Sequence, residues 1–231
     1  LSDTVLFLQP TNESQLLMQA SFGETQALTP ISNGVMAFTT KNDLAIWMDN
    51  TGMFWQKDIT SASPPTELSF NKFPVINETK YSLLTADHRL FVQENNTLFQ
   101  VYNDRERREI LPNVQQISFS PTGEYIALTT SNELWLYTLQ TQTSPVQRAQ
   151  DEVVFLNRFS KPITNLYWFT PAYLIFANED AIEIAEIDDR DILNTVVFAE
   201  FEDPAIFWKG DTSLLYLISQ GNLYLSEKIL E

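Results

Sequence analysis

One histidine, His88, bounds what chemistry this chain can carry. A single imidazole cannot build a multi-histidine metal site. With Asp87 beside it, in Ala86-Asp87-His88-Arg89, it reads as a hairpin turn rather than as the general base of a catalytic triad. Cysteine is absent, which excludes disulfides, thiolate catalysis and zinc–thiolate sites. Neither GxGxxG nor GxSxG occurs, so dinucleotide-binding and α/β-hydrolase readings have no support. The best metal candidate is the acidic run Asp188-Asp189-Arg190-Asp191, because calcium takes oxygen ligands and Asp188, Asp189 and Asp191 supply them. The Gly and Glu that complete a calcium loop are missing, so a solvated turn is the leading reading, and no metal, cofactor or catalytic residue is expected. Glu183 and Glu186 extend the acidity but differ in parity, so on a strand they face opposite ways.

The strongest binding signal is aromatic. Trp47, Trp55, Trp135, Trp168 and Trp208 each fall in or at the end of a strand. Adjacent rings such as Phe54-Trp55, Tyr167-Trp168 and Phe207-Trp208 must split between two sheet faces. Core packing is the first expectation for all of them; Trp55, Trp168 and Trp208 are the candidates for a partner-binding anchor.

The elements that must position these groups repeat. Ile46 and Phe54, Leu90 and Leu98, Ile126 and Leu134, Leu174 and Ile182, and Leu215 and Leu223 are apolar pairs eight positions apart, each separated by a polar turn. The third copy is clearest: Gln116 to Ser120 and Tyr125 to Thr129 are strands joined by Pro121-Thr122-Gly123-Glu124, Glu133 to Thr138 is a third, and a fourth ends at Leu156. A hairpin repeated along a chain with no helix between copies predicts a β-propeller of four-stranded antiparallel blades. Blades are expected at about 33–70, 75–111, 113–157, 162–201 and 204–231, in a single domain spanning 1–231. The last copy has only three strands, and Thr4-Val5-Leu6-Phe7-Leu8 is the expected fourth, closing the ring within a connecting region 1–30. Glu13 to Ala20 fits a short helix or a strand; as a strand it allows a sixth, partial blade or an incomplete ring. With only six glycines, most turns must use Asn, Asp, Ser and Pro.

Charge narrows the partners. Thirty acidic against 14 basic residues give a formal net charge of −16, which argues against nucleic acid and against an anionic membrane surface. Arg105, Arg107 and Arg108 are interleaved with Glu106 and Glu109 and read as a solvated strand end. No run approaches the roughly 18 apolar residues that span a bilayer. Asn12, Asn77 and Asn95 begin Asn-x-Ser/Thr triplets, which occur readily in turns without glycosylation.

The block Ile117-Ser118-Phe119-Ser120-Pro121-Thr122-Gly123-Glu124-Tyr125-Ile126-Ala127 resembles the blade motif of TolB-like and WD-type propellers. Over most of the chain, the phrases Leu68-Ser69-Phe70-Asn71-Lys72-Phe73-Pro74, Ile76-Asn77-Glu78-Thr79-Lys80-Tyr81, Phe155-Leu156-Asn157-Arg158-Phe159-Ser160 and Ile184-Ala185-Glu186-Ile187-Asp188-Asp189-Arg190-Asp191 resemble propeller regions that follow a PEGA domain in surface proteins of Patescibacteria. The resemblance implies an extracytoplasmic location, with anchorage by a segment outside this chain. The resulting expectation is a non-catalytic recognition or scaffold module that binds a protein or other envelope component through its loops. The alternatives are a domain accessory to another domain of a membrane-anchored protein, or a hydrolase or lyase with a channel-mouth site.

Overall fold

The computed structural model describes residues 3–11, 14–22, 27–86, 88–144, 146–190 and 193–229. Among them every regular element is a strand, as the sequence predicts. Among the described residues no helix is long and apolar enough to cross a membrane. The chain divides into two compact units, Leu1–Leu111 and Pro112–Glu231.

The first unit holds three antiparallel sheets. One is β1 (Asp3–Pro10), β2 (Gln15–Phe22) and β3 (Ala27–Ser32), in that order. The next is β4 (Val35–Lys41), β5 (Leu44–Asp49), β6 (Phe54–Asp58) and β7 (Thr66–Glu67). The third runs β8 (Tyr81–Ala86), β9 (Arg89–Glu94), β10 (Thr97–Val101) and β11 (Arg108–Leu111).

The second unit repeats the plan. It contains β12 (Gln116–Phe119), β13 (Tyr125–Thr129), β14 (Glu133–Thr138) and β15 (Val153–Arg158), then β16 (Asn165–Thr170), β17 (Tyr173–Ala177), β18 (Ala181–Glu186) and β19 (Thr195–Glu200). It finishes with the three strands β20 (Ala205–Lys209), β21 (Leu214–Ser219) and β22 (Asn222–Leu225).

Each sheet is a meander, so every pairing is between sequence neighbours. Short loops make this cheap in closure entropy. The left-handed turn conformations fall mostly on Asn, Asp, Ser and Gln, as the scarcity of glycine requires: Asn42, Asn95, Asn113, Asp151, Asp203, Ser213 and Gln220 all have positive φ. Gln220 and Gly221 form a two-residue hairpin loop with both φ values positive, which matches the twist of the strands it joins.

The amino-terminal strand corrects the five-blade reading. β1 pairs with β2 over its whole length, from Asp3 opposite Phe22 to Pro10 opposite Gln15, instead of serving as the fourth strand of the last sheet. The backbone N–H of Thr11 donates to Ser14 O at 2.8 Å, and the Thr11 hydroxyl donates to the same oxygen, pinning the turn. A partner a few residues away wins over one some two hundred residues away because little chain entropy is lost in reaching it. The Glu13–Ala20 ambiguity resolves as strand from Gln15 onward, and six sheets result, as the six-blade alternative allows.

The cores lie between stacked sheets. Ile46, Met48 and Phe54 pack against Tyr81, Leu83, Leu90 and Val92 in the first unit. Leu134, Leu136 and Leu156 pack against Leu166, Trp168, Leu174 and Phe176 in the second. Gly52 is fixed by this stacking: its φ is +82°, and a Cβ there would lie 1.9 Å from the Phe73 carbonyl oxygen. Gly123, at the predicted turn before β13, has φ +73° but nothing within 4 Å.

Gly123→Ala should therefore cost only backbone strain, roughly 1–2 kcal/mol, while Gly52→Ala should cost at least about twice that. Equal losses in urea unfolding midpoints would contradict the close approach at Gly52.

Candidate functional site

β5 and β6 build an aromatic site that opens to solvent with a carboxylate beside it. Trp47 and Trp55 are cross-strand partners, so their rings share a face. Trp47 is buried against Leu17, Val35 and Ala45, while Trp55 is half-buried. Together with Ser32, Asn33, Gly34, Asp49 and Asn50 they line a cleft of about 550 Å³.

Asp49 organises it. Its Oδ1 accepts the Thr51 hydroxyl at 2.7 Å and the backbone N–H groups of Thr51 at 2.8 Å and Met53 at 3.1 Å. Its Oδ2 accepts the Trp55 indole N–H at 2.8 Å. Burial by itself would raise this carboxyl's pKa, but the bonds from Thr51, Trp55 and Met53 outweigh it and hold the group below its ordinary value. A carboxylate so committed orients a ring and a turn; it is not poised to move protons.

The same device recurs on β14, where the Trp135 indole donates to Glu133 Oε2 at 3.1 Å. There Arg158 is the main cause of the lowered Glu133 pKa, holding Oε1 through Nε at 2.9 Å and Nη2 at 2.5 Å.

The other tryptophan candidates lie in the core. Trp168 is buried, donates to Ser118 O at 2.9 Å and stacks on Tyr125 at 6.2 Å. Trp208 is buried against Phe169 at 4.9 Å, and its Nε1 has no partner among the described residues. Of the three named candidates, only Trp55 reaches an open cleft.

The acidic run is occupied by guanidinium groups. Asp188 is gripped by Arg190, which brings its pKa down to about 2. Asp189 accepts Arg148 Nη2 at 2.6 Å, and the same Nη2 donates to Ile187 O at 2.7 Å. Asp191 lies outside the described residues. No group of three or more His, Asp or Glu among the described residues is arranged to hold a metal. His88 sits in the β8–β9 hairpin turn as predicted, while Asp87 lies outside the described residues.

Two features escaped the sequence. Arg107, expected to be solvated, lies 4.4 Å over the Phe73 ring and 4.3 Å over the Phe99 ring, with Glu94 at 3.7 Å. Arg148 is almost wholly buried, 41 residues from the aspartate that holds it. Neither is legible locally, because both partners arrive through strand stacking.

Glu183 is the opposite electrostatic case. Desolvation raises its carboxyl pKa, and the bond donated by the Asn178 amide offsets this only in part. It stands opposite Phe176, whereas Glu186 stands opposite Tyr173, so the two acids diverge as their parity requires.

No protein family matches the sequence, and a search of curated proteins returns no match. Solved structures do share the fold. The WD40 domain of coronin from Toxoplasma gondii is 14% identical, with a TM-score of 0.58, over 97% of this chain and 65% of that one. The β-propeller domain of Cps50 (Swd1) from Myceliophteria thermophila is 12% identical, with a TM-score of 0.55, over 96% and 81%. Virginiamycin B lyase from Staphylococcus aureus is 11% identical, with a TM-score of 0.50, over 97% and 84%. The chain is thus an all-β protein with the propeller fold, built of successive antiparallel meander sheets.

Two pH responses of opposite sign follow. Asp49→Ala should cost roughly 1–3 kcal/mol near neutrality. That deficit should shrink as pH falls below the ordinary aspartate value of 3.8, because a carboxyl with a lowered folded-state pKa contributes stability only above that range. Glu183→Gln should raise the melting temperature at neutral pH, and the advantage should vanish in acid, where the wild-type carboxyl is itself neutral. Melting curves of both variants from neutral to acidic pH check this; a pH-independent difference for either contradicts the assigned environment.

Proposed function

We propose that this protein is a non-catalytic recognition or scaffold module, engaging a protein or other envelope component through its loop-lined cleft at Trp55 and Asp49. One observation carries the reading. The cleft combines an accessible indole with amide and hydroxyl groups, and its carboxylate is spent on holding that indole in place. Such a surface offers a fixed ring and hydrogen-bond partners for recognition, but no free base or nucleophile. Rigid strands beneath it let the loops present these groups at low ordering cost. The net charge of −16 favours a partner with a basic or neutral contact surface.

The extracytoplasmic setting is part of the same proposal. It rests on the likeness of residues 68–74, 76–81, 155–160 and 184–191 to PEGA-associated propellers of surface proteins. In that setting the domain is held at the envelope by a segment outside this chain, and it serves the larger protein by display or binding.

The test follows the fluorescence anisotropy of the purified domain carrying a dye on its amino terminus. Envelope fractions from the source cells should raise that anisotropy saturably. Asn33→Trp would fill the cleft from an exposed turn, and should weaken the response by at least about tenfold while leaving thermal unfolding unchanged. A response untouched by that substitution, or consumption of the bound component, overturns the reading. Protease shaving of intact source cells should remove the domain; protection until lysis contradicts the surface location.

A further inference from the structure

Between the β12–β15 and β16–β19 sheets lies a buried guanidinium that its own fold does not satisfy. Arg148 sits in the β14–β15 loop, fixed by reciprocal backbone bonds with Gln142 at 2.9 and 3.0 Å. It is 2% exposed. Among the described residues only its Nη2 is hydrogen-bonded, to Ile187 O at 2.7 Å and to Asp189 Oδ1 at 2.6 Å. Nε is buried without a partner, and Nη1 donates to nothing. Tyr125, at the start of β13, is 7% exposed, and its hydroxyl makes no hydrogen bond among the described residues either. Its ring is held instead by Trp168, stacked at 6.2 Å, and by the Arg148 guanidinium at 5.5 Å. Buried polar groups in native folds are nearly always bonded, so unmet donors on two neighbouring side chains point to an acceptor that is brought to them.

Both residues line a cavity of about 240 Å³ whose lining residues all belong to the second unit. The rest of its wall supplies two further chemistries. Glu124 and Glu186 are half-buried and pair with no cation among the described residues, whereas Asp188 is committed to Arg190. The Thr122 hydroxyl occupies only Oε2 of Glu124, at 2.9 Å. Val146, Pro171 and Ile187 add an apolar wall. The deep polar groups are therefore donors, and the less buried ones are carboxylates.

We propose that this cavity binds a free α-amino acid with a compact aliphatic side chain. The ligand's carboxylate accepts from Arg148 Nη1 and the Tyr125 hydroxyl, its ammonium is held by Glu124 and Glu186, and its side chain rests on Val146, Pro171 and Ile187. Charge decides between ligand classes. A simple carboxylate would meet the donors but also two unpaired acids, and the charge of Arg148 is already balanced by Asp189. A simple amine would suit the acids and leave both donors unmet. A zwitterion answers both at once. A few convergent polar groups on an otherwise apolar wall are the usual make-up of a small-molecule site. This cavity lies in the second unit and the Trp55 cleft in the first, so either reading can fail without the other.

Isothermal titration calorimetry of the full 231-residue chain with L-leucine at neutral pH tests it. Saturable binding is expected. 4-Methylpentanoate, which lacks the amine, and 3-methylbutylamine, which lacks the carboxylate, should each bind at least about tenfold more weakly. Tyr125→Phe removes a hydroxyl that has no partner in the fold, so it should leave the melting temperature unchanged and weaken leucine binding roughly fivefold. Glu124→Gln combined with Glu186→Gln should weaken leucine binding and strengthen that of 4-methylpentanoate. No saturable leucine binding, equal binding of either half-ligand, or a leucine affinity indifferent to Tyr125→Phe overturns the inference. So does a saturable response to glucose in leucine's place, since a neutral polyol would meet the same donors and acceptors without charge.

Discussion

The structure depends on burying the second strand of a sheet on both faces at once. β13 is buried at every residue, and β17 at all but its first. In β17, Leu174 and Phe176 pack toward β13 and β14, while Ile175 and Ala177 pack toward β20 and β21. β5 is held likewise, with Ala45 and Trp47 against Leu17 and with Ile46 and Met48 against Leu83 and Leu90. A strand of this kind cannot alternate apolar with polar residues, because neither face meets water. Its backbone groups are satisfied by the strands on either side, so burial leaves the main chain paired along it.

The rest follows from that demand. Flanking strands need only one good face, and the outer ones scarcely that: Val196, Val197 and Phe198 of β19 are exposed. Loops are free to carry polar function because the double-sided strands supply the cohesion. Asp49 illustrates the coupling. It ends a doubly packed strand, turns the chain through Gly52 where Phe73 leaves no room for a side chain, and fixes Trp55 at the edge of an open cleft. β21 is the informative exception. Leu215 and Leu217 are covered, while Tyr216 is half-buried and Ile218 exposed.

Most of the fold was legible because double burial writes itself into local sequence. Ala45-Ile46-Trp47-Met48 and Leu174-Ile175-Phe176-Ala177 are continuous apolar runs between turn residues, and an eight-residue step to the next apolar position fixes the hairpin. Pairing choice was less legible. Thr4–Leu8 is a good strand in any sheet, and its sequence does not say that β2, rather than the final sheet, takes it. The site was legible only as a list. Trp55, Trp168 and Trp208 look alike on alternation grounds, and what separates them is whether a neighbouring sheet covers the ring. The same holds for charges: Arg107 between two phenylalanines and Arg148 beneath Asp189 depend on contacts 8 to 41 residues away that no local pattern encodes.

Native-state hydrogen exchange of backbone amides tests the double-burial constraint most directly. The account predicts that the slowest amides lie in β5, β9, β13 and β17, with those of β7, β11, β15 and β19 exchanging far faster and β21 between the two groups. Uniform protection across each sheet, or the slowest amides in the outer strands, would contradict it.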